Sequence, residues 1–136
     1  MARLALRRVE DETLKQVADF CIECGGCSMA CPTCHCFNVV DVGTREEGER
    51  TIVWDSCKYE GYTREASGFN PRPFLWRRVW NRYFDKVGHE RYTAYGMLGC
   101  VGCGRCIMVC PAMADMPFVV KAIRRGEAKR EPTIPE

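Results

Sequence analysis

Cys21, Cys24, Cys27 and Cys31 form a run that the chain writes a second time as Cys100, Cys103, Cys106 and Cys110, and a proline, Pro32 or Pro111, follows each run at once. No other feature constrains the fold as tightly, because C-x2-C-x2-C-x3-C-P is the spacing that binds iron–sulfur cubes. Three thiolates two residues apart wrap one face of a cube when a tight loop turns them inward and aims its backbone N–H groups at the sulfides. Gly25 and Gly104 follow the second cysteine of each run, where a residue free to take positive φ lets the backbone close. The fourth cysteine lies too far along to finish the same cube and, in two-cluster proteins, ligates the other one. The expected ligand sets are therefore crossed: Cys21, Cys24, Cys27 and Cys110 for one [4Fe-4S] cluster, and Cys100, Cys103, Cys106 and Cys31 for the second. Pro32 and Pro111, with no N–H and a fixed φ, are expected to turn the chain away or open a helix.

Every matched position is offset by 79 residues, and Gly25 with Gly104 and Met29 with Met108 keep that register. The repeat implies a pseudo-twofold pair of loops, with two clusters close enough to exchange an electron. Other uses of cysteine fit less well. A disulfide scaffold needs an oxidising compartment, yet Met-Ala-Arg-Leu-Ala-Leu-Arg-Arg at the N-terminus has no apolar export segment or cleavage site, and eleven cysteines is an odd number. Structural zinc sites use two cysteine pairs with a longer gap between them.

The 136 residues fit one domain with a limited core. The expected layout is a two-cluster domain over 1–126, with a hairpin and an aromatic helix inserted at about 36–95, and an extended arm over 127–136. The clusters act as staples, and without them the chain is expected to be largely unfolded. The formal charge of +2 falls to about −2 once two tetrathiolate-bound cubes are counted, so charge implies no nucleic-acid partner. No apolar stretch is long enough to span a bilayer, and the expected location is cytoplasmic.

Residues 11–20 read as a short helix, with acids in its first turn and Leu14, Val17 and Ala18 on one face. Residues 36–42 and 50–56, rich in β-branched and aromatic types, predict a hairpin across the polar stretch from Gly43 to Glu49. Residues 57–73 read as irregular because of Gly61, Gly68 and Asn70-Pro71-Arg72-Pro73. From Phe74 to Val87, Trp76, Val79, Trp80, Tyr83, Phe84 and Val87 fall at helical spacing. That aromatic face is expected to cover the clusters or dock a partner, with Arg77, Arg78, Arg82 and Lys86 in solvent. A last helix is predicted over 115–125, capped by Asp115 and stopped by Gly126.

Cys34, Cys36 and Cys57 remain after two clusters are filled. Three readings stand: small buried thiols beside the clusters, a third metal centre completed by His35, Asp55 or His89, or a redox-active thiol pair. The hairpin would bring Cys36 near Cys57 at its open end. Nothing in their flanks marks a depressed thiol pKa.

The stretch from Cys21 to Asp41, with Trp54-Asp55-Ser56-Cys57, Asn70-Pro71-Arg72-Pro73 and Gly99 to Ile107, resembles the iron–sulfur beta subunits of soluble [NiFe]-hydrogenases (sulfhydrogenases) and the related A subunit of anaerobic sulfite reductase. The resemblance implies a subunit in an anaerobic cytoplasm that wires a flavin-containing NAD(P)H module to a catalytic module, a hydrogenase or another reductase. The distance between the runs is also similar to that of the alpha-helical ferredoxin fold of succinate dehydrogenase and heterodisulfide reductase subunits. The fold class expected is thus mostly α with a small β-hairpin, an alpha-helical-ferredoxin-like two-[4Fe-4S] domain. Two function classes are then open. One is a non-catalytic electron-transfer subunit, favoured by the lack of a nucleotide fingerprint or nucleophile–base pairing. The other is a sulfite-, sulfur- or disulfide-reducing subunit with a third centre at Cys34, Cys36 and Cys57.

Overall fold

The computed structural model describes residues 12–128. In chain order its elements are α1 (Glu12–Asp19), α2 (Gly26–Met29), β1 (Phe37–Gly43), β2 (Gly48–Trp54), a 3-10 turn (Glu60–Thr63), α3 (Leu75–Val87), α4 (His89–Tyr95), α5 (Arg105–Val109) and α6 (Met116–Arg125). The described residues are mostly α with one small antiparallel hairpin, as the sequence predicts. Asp11 of the first expected helix and residues 129–136 of the expected arm lie outside the described residues.

Three helices make the core. α1 turns Leu14, Val17 and Ala18 inward at spacings of three and four, α3 adds Val79 and Tyr83, and α6 adds Met116, Val119, Ala122 and Ile123. Each large aliphatic side chain so buried contributes about 1.5–3 kcal/mol. The α6 boundaries follow from local chemistry: the Asp115 carboxylate accepts from Phe118 N at 2.9 Å, Pro117 sits in the first turn, and Gly126 closes the helix at φ 82°. Two contacts fasten the core to the cysteine-bearing segments. The Tyr83 hydroxyl donates to the Ala114 carbonyl at 2.6 Å, and Phe20 meets Phe118 edge to face at 5.8 Å.

The hairpin pairs from Phe37↔Trp54 to Gly43↔Gly48. Its loop is tighter than the expected Gly43 to Glu49, because Thr44 N donates to the Glu47 carbonyl at 2.7 Å and the Thr44 hydroxyl accepts from Glu47 N at 3.1 Å. Val42, Ile52 and Trp54 are exposed, so burial within the described residues does not explain the apolar content of the strands. Residues 57–73 are irregular apart from the 3-10 turn. The short α4, with Gly96 as its left-handed stop, lies in a stretch with no readable periodicity.

α3 departs from expectation on one face. Arg78, Arg82 and Lys86 are not in solvent; they retain 4%, 3% and 1% of their surface. They recur every four residues and so share a stripe, which lies against backbone carbonyls of the cysteine loops (Arg78 Nε on Lys58 O at 3.0 Å, Arg82 Nη2 on Cys27 O at 2.6 Å and Lys86 Nζ on Thr33 O at 2.9 Å). A buried charge is tolerated only with such partners. The tryptophans of the apolar stripe, Trp76 and Trp80, are by contrast only partly buried.

Candidate cluster sites

The two cysteine runs fold alike. Glu23 and Gly102 take φ of 57° and 69°, Gly25 and Gly104 take 72° and 75°, and each loop then enters a short helix, α2 or α5, whose first turn closes with Ser28 N on Gly25 O or Ile107 N on Gly104 O, both at 2.9 Å. Glycine takes this left-handed region without steric cost, whereas a side chain there costs roughly 1–2 kcal/mol. Glu23 bears that cost while its carboxylate is held by the buried Arg78 guanidinium. α2 packs on α5, which brings the two runs together.

Two cavities result, each gathering three cysteines of one run and the fourth of the other. Cys21, Cys24, Cys27 and Cys110 line the first, with Val17, Lys58, Val79 and Tyr83 behind them. Cys100, Cys103, Cys106 and Cys31 line the second, a space of about 340 Å³ with Arg82, Lys86 and Leu98 on its walls. Thr33 stitches the second together: its hydroxyl donates to Gly99 O at 2.5 Å and Lys86 Nζ donates to its carbonyl, while Cys100 N donates to Lys86 O at 3.0 Å. Burial alone would raise the Cys31 thiol, but hydrogen bonds from Thr33 and the Lys86 charge bring it down to about 7. In the first loop the Tyr59 hydroxyl donates to Cys24 O at 3.3 Å.

These residues fit iron–sulfur cubes on two counts. Thiolates are the donors such clusters take. The second count is charge: Lys58 keeps 2% of its surface, its Nζ lies 5.0 Å from the Tyr83 ring centre, and among the described residues no carboxylate pairs with it. Burial pushes its pKa down, opposed by the Cys21, Cys27 and Cys57 sulfurs. An uncompensated buried cation costs several kcal/mol, and a thiolate-bound cube held by these cysteines would supply the missing negative charge. Lys86, at 1%, lines the second cavity, its charge partly offset by Asp85 at 3.1 Å.

The three remaining cysteines share a third cavity, about 360 Å³, with His35, Tyr62 and Arg82. Asp55 is absent from its lining; its carboxylate accepts from Ser56 N at 2.6 Å. The His89 side chain lies outside what is described. No group of three or more His, Cys, Asp or Glu among the described residues is arranged to hold a single metal ion. Cys57 is buried, and the Cys36 and Cys57 thiols are hydrogen-bonded to each other. The Cys57 hydrogen bond, with help from Tyr62 and against partial burial, brings Cys36 down to about 5, while the same contact and burial push Cys57 up. The largest of these contributions comes from Cys57, far along the chain, with smaller ones from Tyr62 and the neighbouring His35, so the flanking sequence shows little of the shift. Sequence reasoning also missed Lys58, Arg82 and Lys86. The four-residue spacing of Arg78, Arg82 and Lys86 was a usable signal; for Lys58 there was none.

Among the described residues no helix is long and apolar enough to cross a membrane. The chain is 36% identical over 113 residues to sulfhydrogenase 2 subunit beta of Pyrococcus furiosus, a match covering 82% of this chain. It spans about one third (33%) of that relative's length. No solved structure matches significantly. A sequence model for the 4Fe-4S dicluster domain matches residues 20–114. That stretch begins one residue before the first run and ends four after the second, taking in both loops and the hairpin between them, and the chain therefore belongs to the 4Fe-4S dicluster domain family.

Proposed function

We propose that this chain is a non-catalytic electron-transfer module with two [4Fe-4S] clusters, held by Cys21, Cys24, Cys27 and Cys110 and by Cys100, Cys103, Cys106 and Cys31. The observation that carries the reading is the pair of cavities, each lined by three cysteines of one run and one of the other. When bound, such a cluster accepts and releases one electron at a time. The protein's part is to hold the thiolates, neutralise them with Lys58 and Lys86, and keep the sites near each other. Arg82 serves both loops: it donates to Cys27 O and lines the second cavity.

The module is assigned to a multisubunit oxidoreductase in an anaerobic cytoplasm, between a flavin-containing NAD(P)H subunit and a catalytic subunit, first a [NiFe]-hydrogenase and next another reductase. Likeness to a sulfhydrogenase beta subunit supports this, as does the hairpin, whose Val42, Ile52 and Trp54 are 61%, 73% and 72% exposed and suit cover by a partner. The fold assigned is the alpha-helical ferredoxin type, one domain over 1–126. A second reading, a sulfite-, sulfur- or disulfide-reducing subunit with a third centre at Cys34, Cys36 and Cys57, has their shared cavity in its favour.

Anaerobic purification of the intact complex, with iron, zinc and acid-labile sulfide counted per chain and the co-purifying subunits identified, tests these readings. About eight irons beside a flavoprotein and a hydrogenase large subunit is the expected result. About four irons would sink the two-cluster assignment, and about twelve, or eight with a zinc, would favour the third centre.

A further inference from the structure

We propose that Cys36 and Cys57 form a reversible dithiol–disulfide pair that exchanges two electrons with the clusters, giving the chain a two-electron site beside its one-electron sites. The proposal rests on the two-cluster assignment above. It starts from the end of the hairpin. The ladder closes at Phe37↔Trp54, Asp55 N still donates to the Cys36 carbonyl at 3.0 Å, and the chain then returns Cys57 to the Cys36 thiol, to which it is hydrogen-bonded. Of the three extra cysteines, the third is engaged elsewhere: Arg82 Nη1 donates to Cys34 Sγ at 2.9 Å. The three sulfurs therefore divide into a pair and a guanidinium-held single.

The pair also lies against the first cluster loop. Ser28 Oγ is 3.9 Å from Cys57 Sγ, and Ser28 is the neighbour of Cys27. On its other side Cys57 adjoins Lys58, which lines the first cluster cavity. One stretch of wall thus separates the thiols from the cluster, while Cys36, Cys57 and Tyr62 open onto the third cavity, through which a proton can leave.

The step balances. A Cys36 thiolate and a Cys57 thiol lose one S–H bond and gain one S–S bond, one proton passes to the cavity, and two electrons leave, one to each oxidised [4Fe-4S] cluster. The reverse takes one electron from each reduced cluster and one proton from the cavity. The polarity of the pair suits this chemistry, since the thiolate is the attacking form and Cys36 is the member that the hydrogen bond holds ionised.

The test uses the anaerobically purified holo-protein. Samples poised in dithiothreitol buffers of increasing oxidised fraction are quenched with a maleimide and peptide-mapped, with iron and sulfide counted on the same samples. Oxidised protein is then titrated with dithionite. Expected are a Cys36–Cys57 cross-linked peptide about 2 Da lighter than the two thiol peptides, and uptake of about four electron equivalents per chain. In Cys36→Ser and Cys57→Ser the uptake is expected to fall to about two with about eight irons retained. Both thiols staying alkylatable throughout with eight irons present would overturn the pair alone, and so would loss of a zinc or a ninth iron in Cys36→Ser. Fewer than eight irons in the parent chain would overturn the two-cluster assignment and with it the electron exchange, and the iron count separates that failure from the other.

Discussion

The two cysteine loops start from one pattern and end in different surroundings. Gly25 is buried and so close to the Tyr59 ring that a Cβ would collide with it, whereas Gly104 has nothing within 4 Å. Buried Val17, Val79, Tyr83 and Lys58 back the first cavity and buried Arg82, Lys86 and Met116 the second, while the matched rim residues Ile22 and Val101 are both 63% exposed. The segments C-terminal to the two runs diverge as well. At the 79-residue offset Cys34 matches Met113 and Cys36 matches Asp115, so the first run leads into the thiol pair and the hairpin while the second leads into the cap of α6. A ligand motif fixes the loop around a metal group, and the segments packed behind it decide its exposure, charge and neighbours.

The contrast between the loops breaks most completely if the clusters are removed. Chelation of the iron is expected to abolish the cooperative thermal transition, a loss on the order of 10 kcal/mol, read by circular dichroism; an apo chain that melts cooperatively would show that α1, α3 and α6 suffice. Next in size, Cys110→Ser is expected to abolish the same electron paramagnetic resonance signal as Cys21→Ser, and Cys31→Ser the same signal as Cys100→Ser. Pairing of Cys110→Ser with Cys100→Ser instead would undo the crossed assignment. Gly25→Ala is expected to cost about 3 kcal/mol, combining the left-handed backbone with the Tyr59 collision, against about 1 kcal/mol for Gly104→Ala, so equal melting temperatures would contradict the packing difference. Lys58→Met should lower the potential of the first cluster by about 60 mV, one tenfold step for a one-electron couple, and Lys86→Met that of the second by less because Asp85, 3.1 Å from its ammonium, already offsets part of that charge; spectroelectrochemistry resolves the two.

The smallest effect concerns the thiols that only the first loop has. Cys36 is held at about 5, so its alkylation rate should rise from pH 4 to 6 and then level off. A Cys57→Ala change removes the hydrogen bond that favours the thiolate, moves the rise up toward the ordinary range near 8.5, and leaves a slow reaction at pH 6. An unshifted profile would mean that another group sets the Cys36 pKa.

Much of the fold was legible because its causes are local. Asp115, Pro117 and Gly126 bound α6 through contacts within a few residues, and Leu14, Val17 and Ala18 mark one face of α1 by spacing alone. α3 was legible as a helix but not as a surface: Arg78, Arg82 and Lys86 look like solvated charge until the cysteine loops fold over them, since their carbonyl partners sit at Lys58, Cys27 and Thr33. The hairpin was legible in its strands and not in its exposure. α4 was missed because seven residues with no apolar period carry too little signal.

By itself, then, the sequence determined two loops of one design with the ligand spacing of iron–sulfur clusters, because ligand spacing and a glycine at the turn are properties of short segments. The crossed grouping of the cysteines and the nearness of Cys36 to Cys57 were expected from the motif and the hairpin; tertiary structure alone decided that Lys58 and Lys86 lie buried beside the cysteine loops and that the Cys36 and Cys57 thiols are hydrogen-bonded. Those are contacts between residues far apart in the chain, and no local pattern encodes a charge or a thiol whose partner arrives only when the helices pack.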